Sequence, residues 1–395
     1  MKKYKVLIVH NYYKVPGGED TVVENEKNLL IDNNHEVVMY IRHNNEINGK
    51  NFIGKLLLPI ESIFSIKTYM EIKKIIKNEN IDIVHVHNTL PLISPSVYYA
   101  ARSCKVPIVQ TIHNFRFLCP GATFTRDNKI CEECVTKGLK CSVKNKCYRK
   151  SRIQTFISAF NLWFNRRIGT YKKIDAYIAL TDFNKNKMSY LIDINKIYVK
   201  PNFMKSVNYE DNNECRKYFI FIGRIDKLKG IDILLKAWHE INDKLIIIGK
   251  GPDEHYLNNY IKKDKSNNIE YLGFKEKKDV LELLKKSKAL IVPSQWYEGF
   301  PMTIVESFSL GIPVIAGDIG NLSVIIENNV NGCLFKYNDY LKLREVINKI
   351  KDDSRILRYL SNNAKKEFCL KYNEKSNYNI LMNIYKDVLG EKYEK

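Results

Sequence analysis

Phe221-Ile-Gly-Arg-Ile-Asp-Lys-Leu-Lys-Gly230 is the stretch on which the fold turns. The apolar run Tyr218–Ile222 reads as a strand. Gly223 permits a tight turn, Arg224 and Lys229 stand five residues apart, and an amphipathic pattern runs over Ile231–Glu240. A strand that passes through glycine and two cations into a helix suits a diphosphate, because helix N–H groups and fixed cations both favour an anion. The same residues also fit a solvated basic turn, so the stretch has to be read with its surroundings.

Outward from it, short apolar runs alternate with helical patterns. Downstream lie candidate strands at Lys244–Ile248, Ile269–Leu272, Ala289–Val292 and Pro313–Ala316. Upstream lies a second series at Lys5–Val9, Glu36–Ile41, Ile81–Val86, Ile108–Thr111, Ala176–Ala179 and Lys196–Lys200. Amphipathic segments such as Asp20–Asn33 and Lys277–Lys286 separate the runs. Strands apolar on both faces and spaced by helices predict parallel sheets covered on both sides. Two series in 395 residues predict two such domains. The polar stretch Pro201–Cys215 marks the boundary. The expected domains are 1–205, with a Cys-rich basic insertion at about 119–150, and 216–372. A last helix over 373–395 is expected to pack back on the first domain. Ligands of open parallel sheets bind outside the carboxyl ends of the strands, so two facing domains are expected to enclose a cleft.

A second chemical signal is Trp296-Tyr-Glu298-Gly-Phe-Pro-Met-Thr-Ile-Val-Glu306-Ser. Pro301 suits a first helical turn, which leaves Glu298 in the preceding loop and Glu306 about one turn inside. The free N–H groups near Phe300, Met302 and Thr303 form an anion site at a helix N-terminus. One carboxylate can accept from sugar hydroxyls and the other from ribose hydroxyls. Two unrelated surface glutamates are the plainer alternative.

In this order the motifs closely resemble glycosyltransferase family 4, retaining enzymes of the GT-B fold with two Rossmann-like doubly wound parallel-sheet domains. The pattern is a Gly-Arg-…-Lys-Gly loop, an acid, seven residues and a second acid: Arg224, Lys229, Glu298 and Glu306. Pro16-Gly17-Gly18-Glu19, His35-Glu36-Val37, Thr111-Ile-His113-Asn114, Val199-Lys-Pro201-Asn202 and Ile248-Gly-Lys-Gly251-Pro252 match further family turns. Two stretches depart from the pattern, Gly320-Asn-Leu-Ser-Val and Asn202-Phe203.

The resemblance implies a retaining transfer from a nucleotide-diphosphate sugar to a glycan or lipid-linked glycan acceptor in cell-surface polysaccharide synthesis. It implies that His113, Arg224, Lys229 and Glu298 are catalytic. Gly17, Gly18, Gly223, Gly251, Gly299, Phe300, Pro301, Met302, Thr303 and Glu306 would bind the donor, with Glu306 on the ribose and Gly17 and Gly18 admitting the diphosphate. No cofactor is expected for catalysis, the two cations standing in for a divalent ion.

Charge and cysteine content add to this reading. The formal net charge is +20, and Arg126–Lys173 holds 13 Lys/Arg against 3 Asp/Glu, a net +10. A field of that size favours an anionic partner. Asn51–Lys77 and Ser151–Lys173 combine large apolar residues with cations, which suits an anionic membrane surface as well as ordinary sheet-covering helices. With no apparent signal peptide and no apolar run long enough to span a bilayer, the expected location is cytoplasmic, peripheral on the inner face of the membrane. Cys131, Cys134, Cys141 and Cys147 have spacing compatible with a structural zinc, and with plain reduced thiols. Two other classes compete: a nucleotide-sugar epimerase of the same fold, and a zinc-containing nucleic-acid-binding protein. The second explains neither the cation pair nor the acid pair, and no nucleic-acid motif is present, so no nucleic-acid partner is expected.

Overall fold

The computed structural model describes residues 2–14, 17–206, 216–264 and 267–390. Part of the expected boundary (207–215) and Pro16 of the glycine turn lie outside the described residues. The chain divides into two compact units. The first takes the described residues of 1–124, 131–202 and 374–395, and the second those of 125–130 and 203–373.

The first unit carries β1 (Lys5–Tyr12), β2 (Glu36–His43), β3 (Ile83–Asn88) and β4 (Ile108–Ile112). The hairpin strands β5 (Thr125–Arg126) and β6 (Lys129–Ile130) come next in the chain, followed by β7 (Ala176–Ala179) and β8 (Ile197–Val199) of the first unit. The second unit carries β9 (Tyr218–Ile222), β10 (Leu245–Ile248), β11 (Ile269–Tyr271), β12 (Ser287–Val292), β13 (Val314–Asp318) and β14 (Gly332–Lys336). The sheets run β2-β1-β3-β4-β7-β8 and β11-β10-β9-β12-β13-β14, six strands each. Every pairing within them is parallel. In the second sheet β9 lies between β10 and β12, so the order reverses there. That is the switch point at which open α/β sheets leave a crevice.

Both sheets are buried on both faces. Val6–Val9 and Ile83–Val84 are fully buried in the first, as are Phe219, Ile247 and Ile291 in the second. Trp238, on the helix Ile231–Trp238, packs edge-on to Phe219 with ring centroids 5.6 Å apart. Strand β14 and the hairpin were not anticipated from sequence. Gly332-Cys-Leu-Phe-Lys mixes glycine with a terminal lysine, and two-residue strands carry no readable period.

A side-chain amide joins two helices of the first unit. Phe52–Ile63 is capped by Asn51, whose side chain accepts from the Gly54 N–H at 2.8 Å. Arg152–Arg167 is capped by Ser151. Asn161 Nδ2 donates to the Ser62 carbonyl at 2.7 Å and so ties the two together.

The interior of the first unit also holds a charged network. Lys200, 1% exposed, donates to Glu26 Oε2 at 2.8 Å and to Asn377 Oδ1 at 3.0 Å. Glu26 Oε1 lies 2.9 Å from His85 Nδ1 and 3.3 Å from His87 Nε2. His85 also meets Tyr385 and Thr111 at 2.7 and 2.8 Å. Asn377 and Tyr385 belong to the last helix, Glu374–Val388, so this network fastens that helix to the sheet. Burial alone would raise the Glu26 carboxyl, but Lys200 and His85 outweigh it and hold the group well below its usual value. His87 is pushed down to about 4, by burial first.

The network makes stability sensitive to charge and to pH. Lys200→Met leaves the Glu26 charge buried without its cation and should cost roughly 3–5 kcal/mol. Lys200→Met/Glu26→Gln should recover part of that loss in urea titrations; strict additivity of the two single changes would contradict the pairing. His87 is neutral when folded and takes up a proton near pH 6.5 when unfolded. Its contribution is therefore present above about pH 6.5 and is lost as pH falls toward 4. Between pH 7 and 5 the Tm of His87→Gln should fall less steeply than that of the parent, and superimposed slopes would refute this.

Candidate functional site

The second unit assembles its site from the loops after β9 and β12, adjacent strands of one sheet. After β9, Asp226 caps a short 3-10 turn (Lys227–Lys229), accepting from the Lys229 N–H at 2.8 Å. Gly230 follows at φ 78°, and a Cβ there would stand 1.9 Å from the Pro293 carbonyl oxygen. Only glycine allows both that conformation and so close an approach to the β12 loop. The Gln295 N–H donates to the Leu228 carbonyl at 2.7 Å and closes the seam between the loops.

Across that seam Lys229 Nζ donates to both oxygens of Glu298, at 2.8 and 2.9 Å. Glu298 Oε1 also accepts from Ser294 Oγ at 2.5 Å and from Trp296 Nε1 at 2.9 Å. The ammonium lies 5.7 Å from the centre of the Trp296 ring. Glu298 is 5% exposed, whereas a quarter of the Lys229 side chain reaches solvent. Oε1 is thus saturated, and Oε2 keeps acceptor capacity for one more donor. Asn321 Nδ2 donates to the carbonyls of Glu298, closely, and of Gly299, at 2.6 Å. Asn321 belongs to the stretch that departs from the family pattern, and sequence reading gave it no role. Ser294 was likewise missed, its signal being only its position at the end of a strand.

Of the other expected residues, Arg224 stays on the β9 loop with its side chain 55% exposed and its guanidinium against Asp226. Glu306 sits on the helix Met302–Ser309 and faces Lys277 Nζ at 3.4 Å. Burial raises its carboxyl, and Lys277 only partly opposes this. Lys229 and Glu298 are therefore joined directly, while Arg224 and Glu306 are each drawn to another partner. Pro301 takes the position just before the helix, at φ −65° and ψ 118°, not its first turn. Phe300 and Met302 are buried, so what they offer a ligand is backbone; Thr303 is half-buried. Gly223 follows β9 directly. Gly251 packs so closely that a Cβ would lie 2.3 Å from the Ile225 carbonyl oxygen.

The first unit holds its own cavity, of about 560 Å³, at the carboxyl ends of β1, β3 and β4. Tyr13 and Lys14 follow β1, Thr89–Pro91 follow β3, and His113, Asn114 and Arg116 follow β4. Gln154, Ser158 and Leu162 of the helix Arg152–Arg167 close one side. His113 Nε2 lies 2.9 Å from His87 Nδ1, the two rings stacked. Burial first, with His87 and His10 as neighbours, holds His113 well below the usual histidine value. It is neutral near pH 7. Gly17 precedes the helix Gly18–Asp32, and a Cβ at Gly17 would meet nothing within 4 Å.

Cysteines of the basic insertion gather around Cys134. The Cys134 thiol is pushed up to about 12 by burial and by its neighbours Cys119, Cys147 and Cys131. Cys141 lies on the short helix Lys140–Lys144. All eight described cysteines are free thiols. Among the described residues, the one group of metal-ligand side chains with donor atoms within 4.8 Å of one another is Glu26, His85 and His87. The Lys200 ammonium on Glu26 disfavours a further cation at the histidine group.

Residues 16–205 match the family described as Glycosyltransferase Family 4, and residues 205–367 match Glycosyl transferases group 1. An uncharacterized glycosyltransferase of Methanocaldococcus jannaschii is 26% identical over 93% of this chain and 94% of its own. The UDP-Gal:alpha-D-GlcNAc-diphosphoundecaprenol alpha-1,3-galactosyltransferase of Escherichia coli is 25% identical over 86% of this chain and 84% of its own. Among solved structures, Anabaena HepE in complex with UDP superimposes with a TM-score of 0.67 at 17% identity, covering 96% of this chain and 99% of that one. The chain belongs to the family 4, group 1 glycosyltransferases, enzymes of the GT-B fold.

Proposed function

We propose that the enzyme is a retaining transferase. In this reading the second unit holds a nucleotide-diphosphate sugar, and the first holds a glycan or lipid-linked glycan acceptor for cell-surface polysaccharide synthesis. The observation that carries the donor half is the Lys229–Glu298 pair, with Arg224 five residues before Lys229 on the same loop. Lys229 is fixed by its carboxylate and indole neighbours, so it needs no reorganisation to meet a leaving diphosphate. Arg224, exposed and held by Asp226, can swing its guanidinium fork onto the second phosphate. The spare acceptor site on Glu298 Oε2 takes a hydroxyl of the transferred sugar, and Glu306 takes the ribose. Gly17, at which a Cβ would meet nothing within 4 Å, and Gly18 are the glycines this reading assigns to the diphosphate. UDP is the first nucleotide to try, since the E. coli relative is named for UDP-Gal and HepE is complexed with UDP.

In the transfer an acceptor hydroxyl oxygen forms the new bond to the anomeric carbon, and the bond from that carbon to the phosphate oxygen breaks. The hydroxyl proton passes to the departing phosphate oxygen on the same face, so configuration is retained. Fixed cations carry the developing negative charge, the role a divalent ion would otherwise fill. Neutral His113 is suited to accept from, or donate to, a sugar hydroxyl. The basic segment Arg126–Lys173 favours work at an anionic membrane surface on the cytoplasmic side. A structural zinc on the cysteines plays no part in this chemistry.

Arg224→Ala and Lys229→Ala should each lower turnover by about 100-fold or more with an unchanged far-ultraviolet circular dichroism spectrum. Near-normal turnover would remove the clamp. Glu298→Gln keeps the shape of the site but loses the charge facing Lys229, and it should blur discrimination among UDP-sugars that differ at one hydroxyl. An unchanged donor profile would assign Glu298 a purely structural role. Incubation with nucleotide sugar alone separates transfer from epimerisation: an epimerised donor in the absence of acceptor would favour the epimerase.

A further inference from the structure

The cavity of the first unit has a chemistry that a neutral sugar does not call for. Its lining carries four cations, Lys14, Lys55, Arg116 and Arg149, and no carboxylate. Lys55 and Arg149 are exposed and have no acidic partner among the described residues. Arg149 lies over the Tyr148 ring, 5.3 Å from its centre, and Arg116 lies 5.9 Å from the same ring. Arg116 Nε is buried and makes no hydrogen bond, while Tyr13 and the buried Glu19 act on the rest of its guanidinium, so Lys55 and Arg149 carry the uncompensated charge. A concave site with this balance favours a ligand of at least two negative charges.

The walls add a second property. Phe52–Ile63 and Arg152–Arg167 each turn one face to the cavity, with Leu58, Pro59 and Ser62 on the first and Ile157, Ser158 and Leu162 on the second. A helix covering a globular core is polar on its other face. These two are not. On the first, Phe52 is 81%, Leu56 67% and Ile60 65% exposed. On the second, Ile153 is 74%, Phe156 56% and Trp163 51% exposed. Because Asn161 binds Ser62, the two apolar faces belong to neighbouring helices that border one anion-attracting pocket. Exposed apolar side chains beside a basic pocket fit an amphiphile with a charged head.

We propose that this cavity binds an acceptor whose sugar is carried on a lipid diphosphate. Lys55, Arg116 and Arg149 take the phosphate oxygens, the sugar lies toward His113, and the hydrocarbon chain leaves over the apolar faces of the two helices. This rests on the reading of the first unit as the acceptor side and names the acceptor's class and its contacts.

Titration calorimetry of the full chain with farnesyl diphosphate, farnesol and inorganic pyrophosphate tests it, each in the presence of saturating UDP. Farnesyl diphosphate should bind at least about tenfold more tightly than either fragment. Lys55→Ala/Arg149→Ala should weaken it about tenfold, as should Phe156→Ser/Trp163→Ser, with UDP affinity unchanged in both; that unchanged affinity also reports an intact fold. Equal affinity for farnesyl diphosphate and pyrophosphate, or indifference to both double variants, would overturn the proposal. Displacement of farnesyl diphosphate by UDP would do the same, by placing the amphiphile in the donor site. Failure of UDP to bind the parent protein, with farnesyl diphosphate still bound, would instead count against the donor reading and leave this one standing.

Discussion

The pairing of Lys229 with Glu298 is the constraint on which the second unit's chemistry depends. The two residues are 69 positions apart in the chain and meet only because β9 and β12 are hydrogen-bonded neighbours. Their meeting requires a parallel sheet whose strand order reverses at β9, so that the first and fourth strands of the six-stranded sheet, in chain order, end side by side. It also requires Gly230, whose missing Cβ lets the β9 loop lie against Pro293. A cation alone would be solvated and mobile, and a buried carboxylate alone would be expensive. Together, with Ser294 and Trp296 closing the shell, they give a fixed positive charge at the carboxyl edge of the sheet.

The first unit solves a different problem. Its interior keeps Glu26, His85, His87 and Lys200 away from water, joined to residues of the last helix. Such groups destabilise a core unless each finds a partner. Here the partners come from β3, β4, the helix after β1 and the C-terminal helix, so the network dictates where each of these lies. His113 stands at its outer end, in contact with His87. The element that faces the cavity is thus anchored by the same network that fastens the end of the described chain.

Much of this was legible in the sequence, and the reasons are local. Tyr218–Ile222 has the expected bounds because Lys217 and Gly223 flank a short apolar run, and Ala176–Ala179 starts where expected because Asp175 precedes it. Lys229 and Glu298 could be singled out because a glycine turn and a Gly-Phe-Pro elbow flank them. What spacing could not give was pairing. It treated Arg224 and Lys229 as equivalent, whereas Asp226 takes the first and Glu298 the second. It left Cys119 out of the candidate ligand set, whereas the fold makes it a neighbour of Cys134. It passed over Asn321, because a side-chain amide that holds two carbonyls has no periodic signature.

Protection of Lys229 from acylation tests the donor site most directly. The intact protein would be treated with a limiting amine-reactive reagent and its lysines followed by mass spectrometry, with saturating UDP or with uridine. If Lys229 meets the diphosphate, UDP slows its modification while uridine, lacking the phosphates, does not. Modification of Lys229 at the same rate in all samples, with UDP shown to be bound, would contradict that placement.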